Sequence, residues 1–200
     1  MADHTGSGLV AGQLLVAAPA LVDPNFARSV VLLLDYDDNG ALGVVLNRPS
    51  PVPVDDILPD WSGMVGEPDV LFHGGPVSID SALAVASLPG SPDDEFDDGL
   101  GGGEPVGWRR LFGGTGILDL DAPTELLAPA VSRLRIFAGY AGWGHEQLEA
   151  EIAEGSWYVV RSLPSDLFTG DPERLWMRVL RRQPGELAWV STCPADPAVN

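Results

Sequence analysis

Two apolar runs flanking a turn signal constrain this chain more than any other stretch. Residues 29–34 (Ser29-Val30-Val31-Leu32-Leu33-Leu34) are answered by residues 41–46 (Ala41-Leu42-Gly43-Val44-Val45-Leu46). Between them lies Asp35-Tyr36-Asp37-Asp38-Asn39-Gly40, whose Asn-Gly pair tolerates the positive φ values of a type I′ turn. The pattern predicts a β-hairpin. Both runs are apolar on consecutive residues, so both faces need covering and the hairpin is expected near the centre of a sheet.

Around it, residues 13–18 read as a buried first strand. Residues 9–22 look superficially like a signal peptide, but Asp3 precedes them, the first basic residue is Arg28, and Gln13 and Pro19 interrupt the run. A cytoplasmic protein is expected, consistent with the lone Cys193. A short helix is predicted over 54–58, ended by Pro59, then a strand at Val70-Leu71-Phe72. His73-Gly74-Gly75-Pro76 forms a tight loop, followed by strands over 82–88, 108–113 and 115–120. Residues 91–107 carry Asp93, Asp94, Glu95, Asp97, Asp98 and Glu104 among glycines, which reads as an exposed acidic loop insertion; residues 1–11 read as a flexible N-terminus. Helices are expected over 124–133, 146–154 and 171–182. Strands are expected over 134–138, 157–161 and 187–191, with a glycine-rich turn at 139–144. Strands outnumber helices and their connections are short, so a single α+β domain spanning 1–200 is the expected class.

Charge narrows the function. Twenty-nine acidic residues face eleven basic ones, all arginine, for a net −18. Such a chain repels a duplex phosphate backbone at long range, so direct nucleic-acid binding is disfavoured. No apolar run reaches the roughly 20 residues of a membrane span.

The chemical motifs are sparse. The glycine-rich segment 137–149 matches neither dinucleotide nor P-loop patterns, and Glu146 adds charge where a phosphate would sit. His73 beside Gly74-Gly75 could serve an oxyanion site, yet Ser78 and Ser81 are not in a G-x-S-x-G elbow. His73 and His145 lack metal-ligand spacing, the acidic insertion lacks EF-hand spacing, and Cys193 lacks a His/Asn arrangement. No metal, cofactor or catalytic residue is expected. Arg174, Arg178, Arg181 and Arg182 form one helical stripe, either a solvated face or a docking site for an acidic partner or phosphate.

Several segments together resemble the AlgH/YqgE family of uncharacterised bacterial proteins. They are Phe26-Ala27-Arg28-Ser29-Val30-Val31, the run from Gly40-Ala41-Leu42-Gly43 to Asn47-Arg48-Pro49, and Gly74-Gly75-Pro76-Val77. Gly139-Tyr140-Ala141-Gly142-Trp143 follows, with Gln147-Leu148-Glu149, Glu151-Ile152, Trp157, Trp176 and the ending from Pro194 to Asn200. The family usually has Gly where this chain has Glu146. The resemblance implies a mixed, bifurcated, partly barrel-like β-sheet flanked by helices. It implies no established reaction, although some members carry a transcriptional-regulator label.

The expectation is therefore a non-enzymatic cytoplasmic binding or regulatory protein, recognising a protein partner or a small ligand. Its surface would comprise Asn47, Arg48, His73, Gly74, Gly75, Pro76, Tyr140, Gly142, Trp143 and Gln147. One alternative is a small-molecule hydrolase or transferase using His73, with Asn47 or Arg48 stabilising charge. A second is a DNA-binding regulator using the arginine stripe.

Overall fold

Ten strands form one sheet in the computed structural model, which describes residues 8–89 and 105–193. In chain order the first elements are β1 (Gln13–Ala17), β2 (Val30–Asp37), β3 (Gly40–Val45), β4 (Pro49–Pro53), the short helices α1 (Val54–Ile57) and α2 (Pro59–Ser62), and β5 (Val70–His73). Next come β6 (Val77–Ser87), β7 (Trp108–Phe112), β8 (Thr115–Leu118), α3 (Thr124–Leu127) and β9 (Arg133–Gly144). The chain finishes with α4 (Gln147–Ala153), β10 (Trp157–Arg161), α5 (Pro164–Leu167), α6 (Leu175–Arg181) and α7 (Glu186–Val190).

The main path runs β10-β1-β2-β3-β9-β6-β8-β7, so the predicted hairpin lies at its centre. Its consecutive apolar residues serve two cores. Leu14, Val16, Val30, Leu32, Leu34 and Val44 join one cluster, while Leu15, Ala17, Val31, Leu33 and Val45 join another. Alternation along each strand sends neighbours to opposite faces, so a sheet covered on both sides needs unbroken apolar sequence.

The sheet branches at β9. Residues 141–144 pair with β3, whereas Phe137 and Ala138 pair in parallel with β5, and the opposite edge pairs with β6. The result is a single α+β domain built on a strongly curled half-barrel. Curling brings the Phe112 ring of β7 against Gly12, just ahead of β1. Helix α6 buries Leu175, Trp176, Val179 and Leu180 in the concave core, and α4 buries Leu148 in the convex one.

Several predicted boundaries need correction. The hairpin turn is not type I′: Asp37 pairs with Gly40, leaving Asp38-Asn39 as the loop, and Asn39 is not among the positive-φ residues. The Asn39 backbone N–H and Nδ2 donate instead to the Asp37 carboxylate (2.7 and 3.1 Å). These bonds, the Asn39 side chain foremost, hold the Asp37 carboxyl below its usual range. Residues 139–144 continue β9 rather than forming a turn, because their backbone finds ladder partners in β3 and β6. The strand expected over 187–191 is helix α7; a four-residue apolar run, Leu187 to Val190, carries no period to separate the two. The helix over 124–133 stops at Leu127, ahead of Pro129, and α6 opens at Leu175 after a turn rather than at Asp171. Strand β6 begins five residues earlier than expected, at Val77. Of the expected N-terminal arm and acidic insertion, residues 1–7 and 91–104 lie outside the described residues, as does the ending 194–200.

Candidate functional site

The segment before β2 is pinned by two side chains that follow β3. Asn47 Oδ1 accepts from the Val30 N–H (2.9 Å) and Asn47 Nδ2 donates to the Arg28 carbonyl (2.9 Å). Arg48 Nη2 donates to the Ala27 carbonyl (3.0 Å). Between these anchors Arg28 is held at φ 55, a left-handed conformation that any L residue with a Cβ adopts at a cost. Its guanidinium lies 4.4 Å over the Trp176 ring and donates to the Cys193 carbonyl. Trp176 is fixed in turn by its indole N–H on the Ala17 carbonyl (2.8 Å).

These residues line a cleft of about 470 Å³. Ala27, Arg28, Asn47 and Arg48 form one wall, Glu173, Trp176 and Met177 of the α6 region a second, and Ser191, Thr192 and Cys193 after α7 the third. Two guanidiniums thus share a concave space with an aromatic floor. The Ser191 and Thr192 hydroxyls donate to the Ala188 and Trp189 carbonyls (2.6 and 2.7 Å), so toward the cleft they are acceptors.

The remaining residues of the predicted surface do not join it. His73 ends β5 exposed to solvent, tied to Arg48 only through its backbone N–H on the Arg48 carbonyl (2.8 Å), and it does not line the cleft. Gly74 and Gly75 are glycines because β9 passes too close for a side chain: a Cβ on Gly75 would lie 2.2 Å from the Tyr140 carbonyl. Exposed Pro76 follows them into β6. Tyr140 is half-buried against the concave core, and a Cβ on Gly142 would point toward its ring. Trp143, one residue on, belongs to the convex core and is 6% exposed. Tyr140 and Trp143 therefore lie on opposite faces of the sheet.

Gln147 belongs with Trp143. Glu151 Oε2 accepts from the indoles of Trp143 (2.9 Å) and Trp157 (2.8 Å), and Oε1 accepts from Gln147 Nε2 (3.0 Å). Gln147 Oε1 accepts from the Gly144 N–H (3.0 Å). Phe26 stacks on Trp143 and meets Trp157 edge-on, so this aromatic knot underlies the same segment that presents Arg28. Glu149 accepts from the Tyr36 hydroxyl.

Within the arginine stripe, Arg174 lies 3.7 Å from Asp171, Arg178 bonds Thr169, and Arg182 is locked onto Asp166. Among the described residues no three His, Cys, Asp or Glu side chains are grouped to hold a metal ion, and no helix is long and apolar enough to cross a membrane.

The AlgH-like family model matches residues 14–188. The chain belongs to the AlgH-like family. A UPF0301 protein of Streptomyces coelicolor is 60% identical over 200 residues, covering all of both chains. Another, of Mycobacterium tuberculosis, is 45% identical over 190 residues, covering 95% of this chain and 90% of its own. An X-ray structure from Corynebacterium diphtheriae superposes with a TM-score of 0.83 at 34% identity, covering 92% of this chain and 93% of that one. The solution structure of the AlgH protein from Pseudomonas aeruginosa shares the fold, with a TM-score of 0.63 at 24% identity over 96% of this chain and 98% of that one.

Glu146 caps α4 at φ 57, the left-handed region that favours glycine, which is also the residue the family resemblance implies there. Glu146→Gly is expected to raise stability by about 1 kcal/mol, the order of the left-handed penalty it removes. A thermal melt checks this; a lower melting temperature would show that the Glu146 side chain stabilises the cap.

Proposed function

We propose that this AlgH-like protein is a non-catalytic binding protein, and that its ligand is a small organic anion: a carboxylate on an apolar body. The supporting observation is Arg28. A strained non-glycine residue persists only where its surroundings over-determine it, and the side chains of Asn47 and Arg48 bond both flanking carbonyls to do so. The Arg48 guanidinium, beside that of Arg28 and across from Glu173, brings charge of the sign that attracts a carboxylate, while Trp176, Met177 and Ala27 give apolar surface beside them. The volume falls within the roughly 300–1,000 Å³ of ligand sites. In a chain of −18 this pairing of cations concentrates positive potential where most of the surface repels anions. The lone Cys193 supports a cytoplasmic setting, and any influence on gene expression is then indirect.

The test is a thermal-shift comparison of aromatic and aliphatic carboxylates against their neutral amides. A carboxylate at 100 times its dissociation constant stabilises by about 2.7 kcal/mol, a rise of a few degrees. Arg48→Gln is expected to weaken binding at least tenfold. Arg133→Gln removes the same charge from an exposed position outside the cleft and should leave binding unchanged. Amides that stabilise as well as the acids, or full binding in Arg48→Gln, would overturn the reading.

A further inference from the structure

The cleft leaves another group of cations unexplained. Arg178, Arg181 and Arg182 line a separate groove of about 420 Å³ with Leu163, Ser165 and Asp166. Three guanidiniums there face one carboxylate, and that carboxylate is already committed. Asp166 is 1% exposed and accepts from Arg182 at both oxygens (2.5 and 2.7 Å) and from the Leu163 N–H (2.8 Å). Arg182 also donates to the Arg161 carbonyl (2.9 Å). Arg178 is bonded through Nη1 to Thr169 Oγ1 (2.6 Å), and Arg181 has no partner among the described residues.

A second observation lies behind the groove. The Thr169 carbonyl accepts from Nη2 of Arg135 (3.1 Å), whose side chain is among the largest fully buried ones. The other contacts of Arg135 are the Glu67 carbonyl (2.9 Å) and the Phe72 ring (4.3 Å), while its Nε and Nη1 have no partner. None of these is an anion, and burial lowers the guanidinium to about 10. Two positive charges therefore converge on Thr169, one from the groove and one from the core, and the inner one has no counter-ion among the described residues. Low-dielectric surroundings screen the inner charge poorly, so its field extends toward the groove.

We propose that this groove binds a tetrahedral oxyanion, a phosphate or sulfate group, held by the guanidiniums of Arg178 and Arg181 with the Ser165 hydroxyl as a further donor. The site is distinct from the carboxylate cleft and stands without it. Arg182 positions the groove wall through Asp166, and the ligand's charge offsets both Arg178 and the buried Arg135.

The experiment is an amide chemical-shift titration of the full chain with inorganic phosphate, with phenyl phosphate, and with sodium chloride at matched ionic strength. Phosphate is expected to give saturable shifts at Ser165, Arg178 and Arg181. Arg181→Ala should weaken it at least tenfold, Arg181→Lys should restore part of the loss, and Arg48→Gln should leave it unchanged. Tighter binding of phenyl phosphate would assign an esterified source, and equal affinities the free ion. The proposal is overturned if chloride reproduces the shifts, if Arg181→Ala binds like wild type, or if the shifts fall at Arg28 and Arg48. A short DNA duplex that binds these residues more tightly than phosphate, with a steep salt dependence, would replace it with polyanion docking.

Discussion

Glu151→Leu is expected to cost about 3–5 kcal/mol, the lower part of the range for three hydrogen bonds to one carboxylate at roughly 1–3 kcal/mol each, because the Gln147 amide is exposed and water replaces its bond. The carboxylate holds two indole N–H groups and the Gln147 amide, and both indoles belong to residues at most 6% exposed. Removing it strands those donors where water reaches them poorly, and loosens Phe26, which stacks on Trp143 and meets Trp157 edge-on. Glu151→Gln should retain about half of the stability, because one amide oxygen can still accept from both indoles. Urea unfolding followed by tryptophan fluorescence gives the numbers, with a lower midpoint at unchanged slope as the expected signature. A Glu151→Leu protein within about 1 kcal/mol of wild type would show that the three bonds are not a stabilising unit.

Gly75→Ala should be as severe, at about 4 kcal/mol or more. A Cβ there would sit 2.2 Å from the Tyr140 carbonyl carbon and oxygen and 2.4 Å from the Ala141 nitrogen, at φ +157. All three are backbone atoms of β9, the strand on which the sheet branches, so relief requires separating strands. Gly170→Ala is the matched control. It has nothing within 4 Å and no positive φ, so it should be neutral or gain about 0.4–1 kcal/mol by restricting the unfolded chain. Soluble yield and melting temperature decide between them. A Gly75→Ala protein melting within a few degrees of wild type would refute the collision.

The two glycine variants also mark what was legible in the sequence. Strands at 13–18 and 29–34 announced themselves because burial on both faces leaves apolar runs. The glycines of 139–144 read as a turn because glycine signals conformational freedom; within β9 only Gly139 needs to be glycine, at φ +69 with the Gly75 and Val77 carbonyls 2.8 Å from where a Cβ would sit. Val77 to Ala82 escaped notice because that end of β6 is exposed and carries Ser78, Asp80 and Ser81. The site was half legible. Asn47 and Arg48 were singled out, yet Arg28, Trp176 and Cys193 become neighbours only through contacts spanning more than a hundred residues. No local period encodes those. Trp143 and Gln147 were grouped with them on sequence proximity to the glycines, and their chemistry is instead spent on Glu151.

Helix α6 and its approach contribute Glu173, Trp176 and Met177 to one concavity and Arg178, Arg181 and Arg182 to the other. Should both proposed sites bind, the shared wall would make them a linked thermodynamic system. Whatever factor an occupant of the first applies to affinity at the second, an occupant of the second must return to the first, since the same coupling free energy governs both. A seven-residue helix would then act as the arm of a balance between two anions, and a double titration would read its stiffness directly.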